Sequence, residues 1–432
     1  MPTAALITLG CRVNQYDTQA IRELLEEQNF QIVPFQQQAD IYIINTCTVT
    51  AAADVEGVML IRRAKKLAPQ SRILVTGCLA QDQPEKVAAI EGVDLVISNN
   101  EKFKIATKIQ HWFPAPNQSE LVEDPHWIHG ISKFAGHQRA FVKVQDGCQF
   151  HCTFCLIPRV RGKNISRPVE SIVDEVHRLV DQAFHEIVLT GIQLASYGRD
   201  WGFSRTEPRL SLLIRELLKI QGLHRIRLSS YSIADFEMQL LEYMHSQKGI
   251  CPHLHLPLQS GDAGVLKHMQ RPYTISQFAR VVETVRKKIP EIHLTSDIIV
   301  GFPGETDDAF NQTLSQIREF QFNDFHPFPY STRAKTKAEL FENQVSSKII
   351  HERMNRLLSM KKQCVRQSLE KSVGKKFWMV VEHYNHHQMA GLSPWGERFI
   401  IDSEDALQIG HEVFVQSITK PGSIIGLAKP IQ

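Results

Sequence analysis

Cys148-Gln149-Phe150-His151-Cys152-Thr153-Phe154-Cys155 places three cysteines on one short stretch, directly after the strand-like run 139–145. Three thiolates on one tight loop suit three irons of a 4Fe–4S cube, each sulfur facing a different corner, and leave the fourth iron without a protein ligand. A cube held by four Cys suits electron transfer, whereas an open iron binds a small molecule, so the spacing points to chemistry at the cluster itself. Zinc is the alternative. Structural zinc sites usually close with paired CxxC elements and a fourth Cys or His, and the nearest candidate here is His151 inside the loop.

The rest of the composition narrows the setting. A chain of 432 residues, 43% of them hydrophobic, has material for about two to four domains with sizeable cores. Lys and Arg number 49 against 46 Asp and Glu, so overall charge announces no nucleic-acid partner. Eight Cys without a leader-like start argue for a reducing cytoplasm and against a disulfide framework. No apolar run approaches the roughly 20 residues of a membrane-spanning helix.

The first 112 residues repeat one pattern. Apolar runs ending at Gly10, Thr46 and Gly77 are each followed by Cys (Cys11, Cys47, Cys78) and then by helical periodicity near 17–28, 54–67 and 83–90, with a fourth strand at 95–97. Repeated strand–helix units imply a doubly wound parallel α/β domain, because parallel neighbours need a crossover. The carboxyl edge of such a sheet is where ligands bind, so the three Cys converge despite their separation and form a second three-thiolate site. Any one of them alone reads as buried packing, and a redox thiol is the weaker alternative.

Pro, Asn, Gln and Ser, then an acidic run, mark 113–136 as a linker. Strand candidates at 139–145, 185–190, 225–230, 253–257, 293–300 and 322–328 alternate with helices, which predicts a partial (β/α)6 barrel over 137–366 with functional loops at its carboxyl end. Thr190, Gly191, Ser229, Ser230, Gly301 and Glu305 lie at those ends. His253 and His255 share one face of a strand and read as packed barrel histidines; Cys251 and Cys364 read as structural.

CxxxCxxC on the first barrel strand, with Gly301-Phe-Pro-Gly-Glu305, resembles the radical S-adenosylmethionine superfamily. Thr-Leu-Gly-Cys-Arg-Val-Asn-Gln-Tyr-Asp (8–17), Ile-Asn-Thr-Cys-Thr-Val (44–49), Thr-Gly-Cys (76–78), Arg161-Gly162 and His-Leu-His-Leu-Pro-Leu-Gln-Ser-Gly (253–261) narrow the resemblance to its methylthiotransferases. It implies that Cys148, Cys152 and Cys155 hold the radical cluster, which binds S-adenosylmethionine, and that Cys11, Cys47 and Cys78 hold an auxiliary 4Fe–4S cluster carrying sulfur. It places S-adenosylmethionine near Thr190, Gly191, Ser229, Ser230, Gly301 and Glu305. No acid or base residue is implied as catalytic: the C–H bond at carbon 2 of adenine is unactivated, so a radical is needed. Arg-Val-Asn-Gln-Tyr after Cys11 is similar to the subgroup acting on N6-threonylcarbamoyladenosine beside the tRNA anticodon. Other members act on isopentenyladenosine or a ribosomal-protein aspartate, and a non-catalytic iron–sulfur RNA-binding protein is the reading of another class. A reductant protein and a sulfur donor are implied partners.

Residues 331–376 carry twelve Lys or Arg against four Asp or Glu, which favours phosphate contact beside an RNA enzyme. Lys361 and Lys362 on its helical pattern, with Arg159 and Arg161 after the cysteine loop, are the expected RNA contacts. Short strands near 377–381, 397–401, 412–416 and 424 predict a small β-barrel over 367–432 that resembles the TRAM domain, an RNA-binding module. Lys335 stands where this family usually has Gly.

Overall fold

The computed structural model describes residues 1–114, 127, 130–203, 207, 209–385, 388–402, 410 and 412–431. Most of the expected linker, residues 115–126, 128 and 129, lies outside them.

The N-terminal part runs β1 (Thr3–Thr8), α1 (Arg12–Glu27), β2 (Gln31–Val33), β3 (Ile41–Thr46), α2 (Ala51–Leu67), β4 (Arg72–Gly77), α3 (Cys78–Asp82), α4 (Pro84–Ala88), β5 (Leu95–Val96) and α5 (Ile105–Lys108). Its strands form one parallel sheet in the order β2-β1-β3-β4-β5. Central β3 is buried at every residue, which is why it reads as an unbroken apolar run and not as an alternation. The helix expected over 83–90 is the short α4, which Pro84 begins, and a separate short helix, α3, precedes it. Edge strand β2, three residues long and partly exposed, is too short to leave a period.

The middle part contains β6 (Ala140–Asp146), α6 (Ile157–Val160), β7 (Ile165–Ser166), α7 (Val169–Asp181), β8 (Glu186–Gly191), α8 (Leu210–Leu217), β9 (Arg225–Leu228), α9 (Met238–Ser246), β10 (His253–His255), α10 (Ala263–His268), α11 (Ile275–Lys288), β11 (His293–Val300), α12 (Asp307–Glu319), β12 (Asp324–Pro329) and α13 (Ser347–Ser372). Parallel β6-β8-β9 and β10-β11-β12 are joined by backbone bridges such as Ser230 to His255. The result is an incomplete six-stranded parallel barrel, with short β7 antiparallel on its β6 edge. Thr274 and Gln277 close a capping box on α11, and Thr306 Oγ1 accepts the Ala309 N–H at the start of α12.

β13 (Lys376–Asn385), β14 (Gln388–Leu392), β15 (Arg398–Asp402), β16 (Glu412–Ser417) and β17 (Gly426–Pro430) close into a five-stranded barrel in the order β13-β14-β15-β17-β16. β14 escapes sequence reading because Gln-Met-Ala-Gly-Leu carries few β formers. α13 joins two cores: Leu357 and Met360 pack with the middle part, and Leu369 packs with Phe377 and Phe399 of the closed barrel.

Candidate functional site

The two cysteine groups lie against each other. Cys78 packs with Leu156 and Val160, the residues following Cys155, and Asn99 Nδ2 reaches both Cys78 Sγ (3.8 Å) and the Val160 carbonyl (2.8 Å). Each group is gathered locally by backbone shape. Gly10 takes φ +92, and a Cβ there would stand 2.6 Å from Cys47 Sγ, so the missing side chain lets the Cys11 turn close on Cys47. Gly147, at φ +73, has no space for a Cβ beside the Lys163 carbonyl, and this tight turn launches the Cys148 loop from β6. Thr153 anchors that loop: its N–H donates to Met269 O (3.0 Å), its hydroxyl to His268 O (2.9 Å), and its carbonyl accepts from Ala338 N (2.9 Å). Phe154 meets the Phe302 ring edge-on at 6.2 Å.

The donor set fits iron–sulfur cubes. Burial pushes the Cys47 thiol up to about 11, with smaller upward contributions from Cys78 and Cys11 beside it; burial likewise pushes Cys155 up to about 12, with Cys152 and Cys148 adding to it. Such sulfurs become thiolates when a metal cation compensates the charge. Donors already aim at them: Val49 N–H at Cys47 Sγ (3.4 Å), Phe150 N–H at Cys148 Sγ (3.4 Å), Ile157 N–H at Cys155 Sγ (3.5 Å) and Arg271 Nη1 at Cys152 Sγ (3.1 Å). Hydrogen bonds to cluster sulfurs tune a cube's potential. A cube takes each thiolate at its own corner, whereas zinc needs its donors about 2.0–2.3 Å from one point. His151, the candidate fourth zinc ligand, is exposed.

A buried charge network locks the N-terminal sheet to the barrel beneath these cysteines. Asp17 of α1 accepts from Lys102 (2.5 Å), Lys143 of β6 (2.8 Å) and Arg161 (3.0 Å), and Asp146 accepts from Lys143 and Arg161. Burial alone would raise Asp17; the three cations outweigh it and hold the carboxyl at about 2. Arg161 also donates to Asn14. Arg161, expected to contact RNA, is instead buried in this interface. Nearby, Tyr16 and Arg167 share Glu175.

A strap before α13 touches both cysteine groups' supports. Arg333 donates to Thr48 and Asp54 of the N-terminal part (2.5 Å each), and Lys335 Nζ reaches Asp82 O (3.1 Å) while Ala338 holds Thr153. Lys335 takes φ +71, so the loop keeps a glycine-type conformation with a lysine in it.

The remaining expected residues divide. Thr190, Gly191, Ser229 and Ser230 come together at neighbouring strand ends, where Ser229 N–H donates to Leu189 O (3.0 Å) and the Ser229 hydroxyl is buried without a partner among the described residues. Gly301 and Glu305 follow the end of β11, where Glu305 accepts from Gly301 N (2.7 Å) and from Arg353 of α13 (2.7 Å) while its other oxygen is buried without a partner among the described residues, and Gly301 abuts Ile350. These contacts seat α13 against that strand end. Arg159 is exposed and paired with Asp82 (2.7 Å); Lys361 pairs with Asp324 (2.7 Å); Lys362 is exposed. His255 satisfies both nitrogens on Thr295 (3.0 Å) and Asp297 (3.2 Å), whereas His253 Nδ1 is buried and unpaired among the described residues. Arg271 and Asn99 were invisible in sequence, because no spacing links Arg271 to a cysteine 119 positions away. No helix among the described residues is long and apolar enough to cross a membrane.

Comparison with known proteins agrees with this architecture. Residues 3–98 match the model described as Uncharacterized protein family UPF0004, and residues 142–317 match the Radical SAM superfamily. A Bacillus subtilis protein named threonylcarbamoyladenosine tRNA methylthiotransferase MtaB is 38% identical over 85% of this chain and 82% of its own length. A Methylacidiphilum infernorum tRNA-2-methylthio-N(6)-dimethylallyladenosine synthase is 33% identical over 88% and 84%. The radical S-adenosylmethionine methyltransferase TsrM of Kitasatospora setae shares the fold, with TM-score 0.55 and 14% identity over 76% of this chain and 75% of that one. The chain thus belongs to the radical S-adenosylmethionine methylthiotransferase family.

Proposed function

We propose that the protein is a tRNA-modifying enzyme that adds a methylthio group to carbon 2 of N6-threonylcarbamoyladenosine beside the anticodon. The observation that supports this reading best is the 38% identity to a protein named threonylcarbamoyladenosine tRNA methylthiotransferase, and the packing of Cys78 against Leu156 is in keeping with two neighbouring clusters. Cys148, Cys152 and Cys155 would hold one 4Fe–4S cluster and Cys11, Cys47 and Cys78 a second. When bound, the clusters and S-adenosylmethionine supply a radical for the unactivated C–H bond, a sulfur and a methyl group. The chain's own residues do the rest. Thr190, Gly191, Ser229 and Ser230 line the strand ends where S-adenosylmethionine would rest, and the unpaired Ser229 hydroxyl is a donor for it. Arg271 supports the Cys152 sulfur and Asn99 the Cys78 sulfur. Lys362 and Arg159, with the closed C-terminal barrel, are the surface offered to the anticodon stem–loop. The domain limits that accompany this reading are 1–112, 137–366 and 367–432, although α13 spans the last of them. All eight cysteines are free, in keeping with work in a reducing cytoplasm alongside an electron donor and a sulfur source.

Mass analysis of tRNA nucleosides from a deletion strain tests the substrate. Loss of 2-methylthio-N6-threonylcarbamoyladenosine, with accumulation of the unthiolated nucleoside, is the expected result. An unchanged level overturns it, and loss of the isopentenyl derivative instead would assign the other substrate.

A further inference from the structure

A cavity of about 440 Å³ lies between the inner face of the partial barrel, the first residue of α1 and the β14–β15 turn of the closed barrel. Four arginines line it, and three have partners. Arg139 donates to Glu382 (2.9 and 2.5 Å), Arg227 to Glu186 (2.8 Å) and to the Ser393 and Pro394 carbonyls (3.0 Å each), and Arg398 to Glu382 (3.4 Å). Arg12 is different. Among the described residues no carboxylate or carbonyl accepts from its guanidinium, which stands over the Phe141 ring at 5.8 Å. Of the cavity's acidic groups, Asp324 pairs with Lys361 (2.7 Å), while Glu397 accepts from Ser368 (2.6 Å) through one oxygen and its other oxygen is buried without a partner among the described residues. The Arg12 guanidinium, exposed on the cavity wall and without a hydrogen-bonded acceptor among the described residues, is open to a planar anion, and its fork matches a carboxylate in two hydrogen bonds. Arg12 also directly follows Cys11, so an anion held there sits next to the proposed chemistry.

We propose that Arg12 is the specificity-determining residue that receives the carboxylate of the threonylcarbamoyl substituent, with the adenine on the Cys11 side of the cavity. This rests on the substrate reading above. An uncharged isopentenyl group would fill the same space and leave the guanidinium unpaired, a cost that a site built for a charged group uses to reject the wrong substrate.

The test uses the reconstituted enzyme and three versions of one anticodon stem–loop RNA, carrying N6-threonylcarbamoyladenosine, its threonyl methyl ester or N6-isopentenyladenosine. Binding is read by fluorescence anisotropy and turnover as kcat/KM. Wild type should favour the acid over the ester by about 10–100-fold in both, the range of a hydrogen bond to a charged group. Arg12→Ala and Arg12→Gln should bring that ratio to about one by weakening the acid alone, with Arg12→Lys in between because it keeps the charge and loses the fork. The binding ratio remains readable in a variant that loads iron poorly, and Arg12→Gln keeps most of the side chain should Arg12→Ala fold badly. An acid preference that survives in Arg12→Gln, or an equal loss for acid and ester, overturns the role of Arg12 and leaves the substrate reading standing. Wild type that handles the isopentenyl RNA as well as the acid overturns the substrate reading itself, and Arg12 with it.

Discussion

Cys148, Cys152 and Cys155 sit on a single loop, whereas Cys11, Cys47 and Cys78 come from the ends of β1, β3 and β4 and meet because a parallel sheet aligns those ends. The first group is local: its geometry is set by Gly147 and by the Thr153 contacts. The second is a property of the whole N-terminal fold and of the Asp17 network that presses that fold onto β6. Local sites tolerate distant change, and distributed sites inherit every defect of the scaffold. The two groups should therefore respond differently to mutation.

The largest effects come from the cysteines. Cys148→Ala should abolish reductive cleavage of S-adenosylmethionine, whereas Cys47→Ala should retain some cleavage and lose sulfur transfer. 5′-Deoxyadenosine and methylthiolated RNA measured in the same reactions separate the two, and intact thiomethylation in Cys47→Ala would refute a second cluster. Next is the interface. Asp17→Asn leaves Lys102, Lys143 and Arg161 short of a buried anion, a loss on the order of 3–5 kcal/mol, read by denaturant unfolding. It should deplete the Cys11 group of iron more than the Cys148 group. The same network gives a pH dependence. Asp17 is held at about 2 against roughly 3.9 when unfolded, so its contribution is present above about pH 4 and is lost as pH falls toward 2, where the folded carboxyl takes up its proton. Acid unfolding of Asp17→Asn should lack that component.

A smaller effect distinguishes the local group. Arg271→Ala removes the donor to Cys152 and should weaken iron retention there by about 10–100-fold, measured by chelator stripping, with the distributed group unaffected. The smallest expected change is at the strap. Lys335→Gly relieves a left-handed conformation and loses a half-exposed contact with Asp82, for a gain of up to about 1 kcal/mol in unfolding free energy; a loss of stability would show that the Asp82 contact outweighs the strain.

The sequence carried the positions of most strands in the N-terminal domain and the partial barrel, since buried parallel strands read as apolar runs, and it carried the cysteine spacing. It did not carry exposure. Arg161 looked like a surface group but is buried against Asp17, and Glu305 pairs with Arg353, partners far along the chain brought close by packing that no local period encodes. Arg271 stayed hidden for the same reason. Lys335 shows the converse case: the residue departs from the family's glycine while the backbone keeps the glycine shape.

Iron and acid-labile sulfide counted per chain, after anaerobic reconstitution of wild type, Cys47→Ala and Cys148→Ala, test the account most directly. Two independent cubes predict about eight irons in wild type and about four in either variant. About four in wild type, unchanged by Cys47→Ala, would contradict it.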